Sequence, residues 1–171
     1  MARLKDSGSR REFAGGAVRD LQEGKGRCDL LPLDVCSRIV HDTALSSILK
    51  SIDSYLAAGS CDDLLNAVQT FMKHYNIDAA DCLLDLAIHY EDGCVKYGER
   101  NWENGIPLHC YIDSGVRHLL KCFRGDVDEP HHRAFIWNMF GAVWTHENLP
   151  SFIDLKFPQK IVDTSDGNCA E

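Results

Sequence analysis

No run of apolar residues in this chain approaches the ~20 that a bilayer-spanning helix needs. Its opening segment, MARLKDSGSRREF, carries charge without an apolar stretch. The first absence excludes an integral helical membrane protein, and the second argues against a secretory signal, so a cytoplasmic location is expected. Close cysteine pairs are missing too. The eight cysteines, at 28, 36, 61, 82, 94, 110, 122 and 169, stand 8 to 47 residues apart and form no CxxC. A zinc ribbon or dithiol redox centre needs such pairs, so the thiols read mostly as small buried hydrophobes. There is no GxxxxGK[ST] phosphate loop, and the GKGR at 24–27 is not one. Nor does any stretch of five or more residues alternate apolar and polar as a half-buried strand does.

Positive charge is in short supply. Lys and Arg number 18 against 26 Asp and Glu, a net charge of −8. Such a surface repels a phosphate backbone, which sets nucleic-acid binding aside. A small polyanion that arrives with a divalent metal stays compatible, because the metal supplies the opposing charge. The distribution is uneven: residues 1–27 carry 7 cations against 4 acids, whereas residues 28–95 carry 3 against 11.

What is present is the raw material of one all-α domain. A chain of 171 residues, 44% hydrophobic and 26% charged, is long enough to bury a core. Residues 1–31 form a basic, glycine-rich arm that breaks every period, and it reads as an irregular tether. From Pro32 apolar residues recur every three to four positions, first across LPLDVCSRIVHDTA, then over 46–57 and 62–75. The next helix, capped by Asp78 or Asp81, places Leu83, Leu84, Ala87, Ile88 and Tyr90 on its apolar face and ends at Gly98. Two more follow, about Leu108–Phe123 and, after DVDEP, to about Thr145, with a tail over 150–171. A helical bundle is predicted.

Three of these helices each offer carboxylates beside a cation or imidazole: Glu91 and Asp92 with Lys96, Asp113 with Arg117 and His118, and Asp128 and Glu129 with His131, His132 and Asn138. Bundles build metal sites from such facing side chains. Carboxylates suit Mg²⁺ or Mn²⁺, and imidazole tilts the choice towards Mn²⁺ or a later metal. Each group also has a plain structural reading. Asp128 and Glu129 suit a helix N-terminus, Asp113 and Arg117 an i,i+4 pair, His118 a satisfied core position, and the tryptophans core packing.

The segments EFAGGAVRDLQEGKGRCDLLPLD and HYEDGCVKYGERNWENGIPLHCYIDSGVRHLLKCFRGDVDEPHHRAFIWN resemble the signatures of the phage dATP/dGTP diphosphohydrolase family. That family is grouped with the MazG-like all-α nucleotide pyrophosphohydrolases. Its MazZ-type members serve phages that replace adenine with 2-aminoadenine. KYGERNW, RH and DEPH, in this order, carry the specificity of the resemblance. It implies a single catalytic domain with a family-variable helical insertion at 42–80, hydrolysing a purine deoxynucleoside triphosphate to the monophosphate and pyrophosphate. With dGTP as substrate, the dGMP feeds 2-aminoadenine nucleotide synthesis. The resemblance further implies two or more Mg²⁺ or Mn²⁺ ions held by Glu91, Asp128 and Glu129, with Asp92 or Asp113 assisting. Lys96, Arg100 and Arg117 would neutralise the phosphates, and Lys25 or Arg27 would close over them. Asn101, Asn138 and Trp102 would meet base or sugar, and His118 or His131 would shuttle protons or orient a ligand. MazG-like enzymes use ExxE followed by ExxD. Here Cys94 and Val95 stand where the second acid of the first motif belongs, and His132 replaces the aspartate of the second, either as a softer ligand or as a surface residue. A homo-oligomer, dimer or tetramer, is implied as well. The competing reading is a non-enzymatic helical module that binds a phage or host protein.

Overall fold

The computed structural model describes residues 8–157. Six helices follow a short N-terminal hairpin: β1 (Arg10–Glu12), β2 (Val18–Asp20), α1 (Leu33–Ile39), α2 (Thr43–Ala58), α3 (Cys61–Tyr75), α4 (Ala79–Tyr97), α5 (Leu108–Arg124) and α6 (His131–Asn148). The two strands pair antiparallel, with Arg11 opposite Arg19. Three-residue strands are too short to show an alternating pattern. No helix among the described residues is long and apolar enough to cross a membrane.

Local signals set most helix ends. Asp42 accepts a hydrogen bond from the Leu45 amide at 2.9 Å, and Asp78 one from the Ala80 amide at 2.8 Å. These caps satisfy amides that have no intrahelical partner. The Asp42 cap also starts α2 at Thr43, inside the LPLDVCSRIVHDTA stretch and ahead of the 46–57 stretch expected for it. Gly59 and Gly125 close α2 and α5 at φ 72° and 85°, a left-handed conformation that costs other residues strain.

α5 and α6 form an antiparallel pair at the centre, and α2 with α3 forms a second pair packed on α6. Ile48, Ile52, Leu64, Phe71, Ile112, Val116, Leu119, Phe135 and Met139 build one continuous core. The central pair is close enough that a β-carbon added at Gly141 would come within 2.3 Å of the buried Tyr111 ring. α4 departs from the sequence expectation. Leu83 and Leu84 are 58% and 68% exposed, and the helix buries Cys82, Leu86 and His89 instead. Its apolar residues are distributed widely enough to suit two faces, and packing against α6 selects the one carrying His89. The cysteines are less buried than expected: Cys82 and Cys110 are buried, Cys28, Cys36, Cys61 and Cys122 half-buried, and Cys94 exposed, all free thiols. Cys169 lies outside the described residues.

Candidate active site

The arm, the second half of α4, the loop after it and the facing sides of α5 and α6 enclose a cleft of about 760 Å³. This volume suits a nucleotide-sized ligand. The arm forms a wall of the cleft through a set of polar clasps. Asn101 holds the Val18 backbone on both sides, accepting from its amide at 2.7 Å and donating to its carbonyl at 2.9 Å. Asp20 accepts from Lys96 Nζ at 2.6 Å and from the Tyr97 hydroxyl at 2.9 Å. Arg19 donates to Asn138 Oδ1 at 3.0 Å and lies 5.4 Å from the ring centres of both Tyr111 and Trp137. Asn138 in turn donates to the Ala134 carbonyl, which orients its amide oxygen towards Arg19.

Of the residues expected to bind substrate, Lys25, Lys96, Arg100, Asn101, Trp102, Arg117, His118 and Asn138 all line the cleft, and so do Glu91 and Glu129. Several have local duties. Lys96 is paired with Asp20, Asn101 clasps the arm, and Arg100 pairs with Glu103. Trp102 packs edge-on against Trp144. Burial pushes the Lys25 ammonium below its ordinary value, with Arg117 adding to the effect. Arg27 lies outside the cleft lining and pairs with Asp29.

The acidic residues separate into distinct environments. Asp113 is buried and already accepts three hydrogen bonds, from the Cys28 amide, Gln22 Nε2 and Arg117 Nη1 at 2.7, 2.7 and 2.8 Å. It therefore ties the arm to α5. Asp92 has a buried Oδ2 without a hydrogen bond, 4.0 Å from Arg133. His132 meets Asp85 at 3.2 Å and lies outside the cleft lining, beside a second cavity. Asp128 meets His131 Nε2 at 2.8 Å and Lys121 at 3.4 Å.

Among the described residues, two sets of side chains each bring their ligand atoms within 4.8 Å of one another, close enough for a metal ion: His118, Glu129 and His131, and Asp126, Asp128 and His131. The Nδ1 atoms of His118 and His131 are 2.9 Å apart. Burial, reinforced by His131 and Arg117, lowers the His118 pKa to about 2, so its imidazole is neutral near pH 7. Sequence reasoning left Arg19, Asp20, Gln22 and His89 out of the site. Arg19 was visible there only as one more arm cation. His89 is buried with an unpartnered Nδ1, and burial together with Arg133 lowers its pKa to about 3.

The sequence model of a family described as dATP/dGTP diphosphohydrolase, N-terminal, matches residues 67–154, just over half of the chain. The chain belongs to the dATP/dGTP diphosphohydrolase family. The matched span carries α4, the KYGERNW loop, α5 and α6, and therefore every helix that borders the cleft. The arm that closes the cleft lies outside it. No curated protein and no solved structure matches the chain.

Proposed function

We propose that this protein hydrolyses dGTP, and dATP with it, between the α- and β-phosphorus, releasing the monophosphate and pyrophosphate. The observation that carries this reading is the cleft itself. In a chain of net charge −8, Lys25, Arg117, Lys121 and Arg100 converge on one cavity that also presents Glu91 and Glu129. Cations of this kind neutralise a triphosphate, and paired carboxylates suit the divalent ion that travels with it. Glu91 and Glu129 would hold that ion, Mg²⁺ or Mn²⁺; when bound, it supplies Lewis acidity at the phosphorus and acidifies the attacking water. Water oxygen bonds to the α-phosphorus, the bond to the bridging oxygen breaks, and Glu91 takes the water proton as pyrophosphate leaves. His131 and His118 orient the groups around Glu129.

The aromatic end of the cleft, with Trp102, Trp137 and Arg19, takes the purine. A guanidinium there favours guanine, which offers acceptors at both O6 and N7, over adenine, whose amino group at position 6 is a donor. The proposed role is supply of dGMP for 2-aminoadenine DNA in a phage-infected cytoplasm. The whole chain acts as one catalytic domain, closed by the arm over 1–31 and varied through the helices of 42–80. A second copy packs along α4, where Leu84 and Val95 are 68% and 86% exposed on the same face as Glu91.

Incubation with each of the four deoxynucleoside triphosphates in Mg²⁺ and in Mn²⁺ tests the reading. Monophosphate with pyrophosphate from dGTP is expected. Diphosphate with phosphate, or no turnover in either metal, overturns it.

A further inference from the structure

The turn between α5 and α6 brings together residues that lie 11 to 13 positions apart in the chain. Gly125 ends α5, and the His131 amide donates to the Glu129 carbonyl at 2.8 Å, a tight turn that puts Glu129 and His131 beside His118. The cluster stands where two cavities meet. His118 and Glu129 line the large cleft, and Glu129 and His131 line a second cavity of about 620 Å³. An ion therefore has an open approach.

Asp128 determines what the imidazoles present. A carboxylate accepts hydrogen bonds, so its 2.8 Å contact with His131 Nε2 fixes the proton on that nitrogen and leaves Nδ1 as a lone pair. That lone pair accepts a hydrogen bond from His118 Nδ1 at 2.9 Å, and an incoming ion takes the place of the shared proton as the His118 proton moves to Nε2. Metal–nitrogen bonds of ~2.1 Å at right angles put neighbouring ligands about 3 Å apart, so the observed separation matches one shared edge of a coordination shell. A carboxylate on the far nitrogen of a ligating histidine is the usual outer support of such a site. The rival group, Asp126 with Asp128 and His131, is otherwise engaged: Asp126 is paired with Arg124, and Asp128 with Lys121.

We infer that His118 Nδ1, His131 Nδ1 and the Glu129 carboxylate bind one first-row transition-metal ion, with Asp128 outside the coordination shell holding His131 in register. Two imidazoles among three ligands select Mn²⁺, Co²⁺ or Zn²⁺ over Mg²⁺, which prefers oxygen throughout. This deepens the hydrolase reading: the two imidazoles join Glu129 on its ion and narrow the choice from Mg²⁺ or Mn²⁺ to Mn²⁺ or a later metal, and that ion is held without nucleotide.

The test is titration of the metal-stripped full-length protein with Co²⁺, followed by visible absorption and calorimetry, with Mg²⁺ as competitor. The expected result is one tight Co²⁺ per chain that a hundredfold excess of Mg²⁺ does not displace. His118→Gln should lose at least tenfold in Co²⁺ affinity, and Asp128→Asn roughly tenfold or more. Asp126→Asn should change nothing. Displacement by an equal concentration of Mg²⁺, or weakening by Asp126→Asn but not by His118→Gln, overturns the site. His131→Gln replaces a buried side chain, so the competition on the unaltered protein keeps the inference falsifiable if that variant does not fold. Tight Co²⁺ binding without triphosphate turnover upholds this site while sinking the hydrolase reading. Turnover in a protein that holds Co²⁺ no better than Mg²⁺ does the reverse.

Discussion

α4 and α6 border the same cleft and are built on opposite terms. α6 is the more buried of the two, with Arg133, Phe135, Ile136, Asn138, Met139 and Ala142 all shielded, and it presses against α5 through Gly141. α4 buries only Cys82, Leu86 and His89 and turns Leu83, Leu84 and Val95 outward. One wall of the cleft is thus close-packed, and the other is fastened by polar clasps between α4, its loop and the arm. The proposed ligands His118 and His131 sit at the packed wall, with Glu129 in the turn that joins its two helices. Of the groups that hold the arm, Lys96, Tyr97 and Asn101 sit at the clasped wall, while Asp113 and Asn138 reach the arm from the packed one. A site that must place ligands within tenths of an ångström gains from the rigid side, while substrate entry needs a side held by fewer contacts.

Substitutions can break this contrast, beginning where the effect is largest. Glu129→Gln at the packed wall should cut turnover by roughly a hundredfold or more with unchanged helix content, read by pyrophosphate release and circular dichroism. Asp113→Ala removes the acceptor shared by Gln22, Cys28 and Arg117 and leaves the Arg117 charge without its carboxylate, held only by Ser114 and the Gly26 carbonyl. A loss of about 3–5 kcal/mol is expected in urea unfolding. Gly141→Ala forces the α5–α6 seam apart against Tyr111 and should cost about 1–3 kcal/mol in the same measurement.

At the tail the expected effect is smaller and depends on pH. Hydrogen bonds to Cys110 and Asp154 raise the His109 pKa to about 9, and the Asp154 contact pins the chain after α6. A raised value means that the protonated form is favoured by folding. Its contribution is therefore complete below about pH 6.5 and disappears as the pH climbs through about 9. Protection of the amides over residues 150–157, with the intrinsic base-catalysed rise in exchange divided out, should fall across that interval, and Asp154→Asn should largely flatten that fall. The smallest change is expected on the outer face of α4. Leu84→Ser should alter unfolding free energy by less than about 0.5 kcal/mol. If the proposed second copy packs there, the same variant shifts the assembly to monomer in light scattering.

Much of the fold was legible along the chain because helices are written in local terms. The three-to-four periodicity marked the helices, and Asp78, Gly59, Gly98 and Gly125 marked their ends. Of the cleft-lining positions, Lys96 and Arg117 were marked by their helices, whereas Arg100, Asn101 and Trp102 were marked only by the family resemblance. α4 was misread for a physical reason. Its apolar residues suit more than one face, and periodicity cannot say which face has a neighbour. The arm was hidden because its structure comes from partners about 80 to 120 residues away, such as Asn101 for Val18 and Asn138 for Arg19.

By itself, the order of residues determined an acidic, helical protein with helix ends set by capping groups and with carboxylates and imidazoles concentrated on three helices. Those properties depend on interactions within a turn or two, or on composition. Tertiary structure alone decided that Asp113 is consumed by the arm, that His132 turns to Asp85, and that His118 meets His131 with Asp128 behind it. Each of these depends on how helices pack against one another, where a rotation of a few tens of degrees exchanges one partner for another.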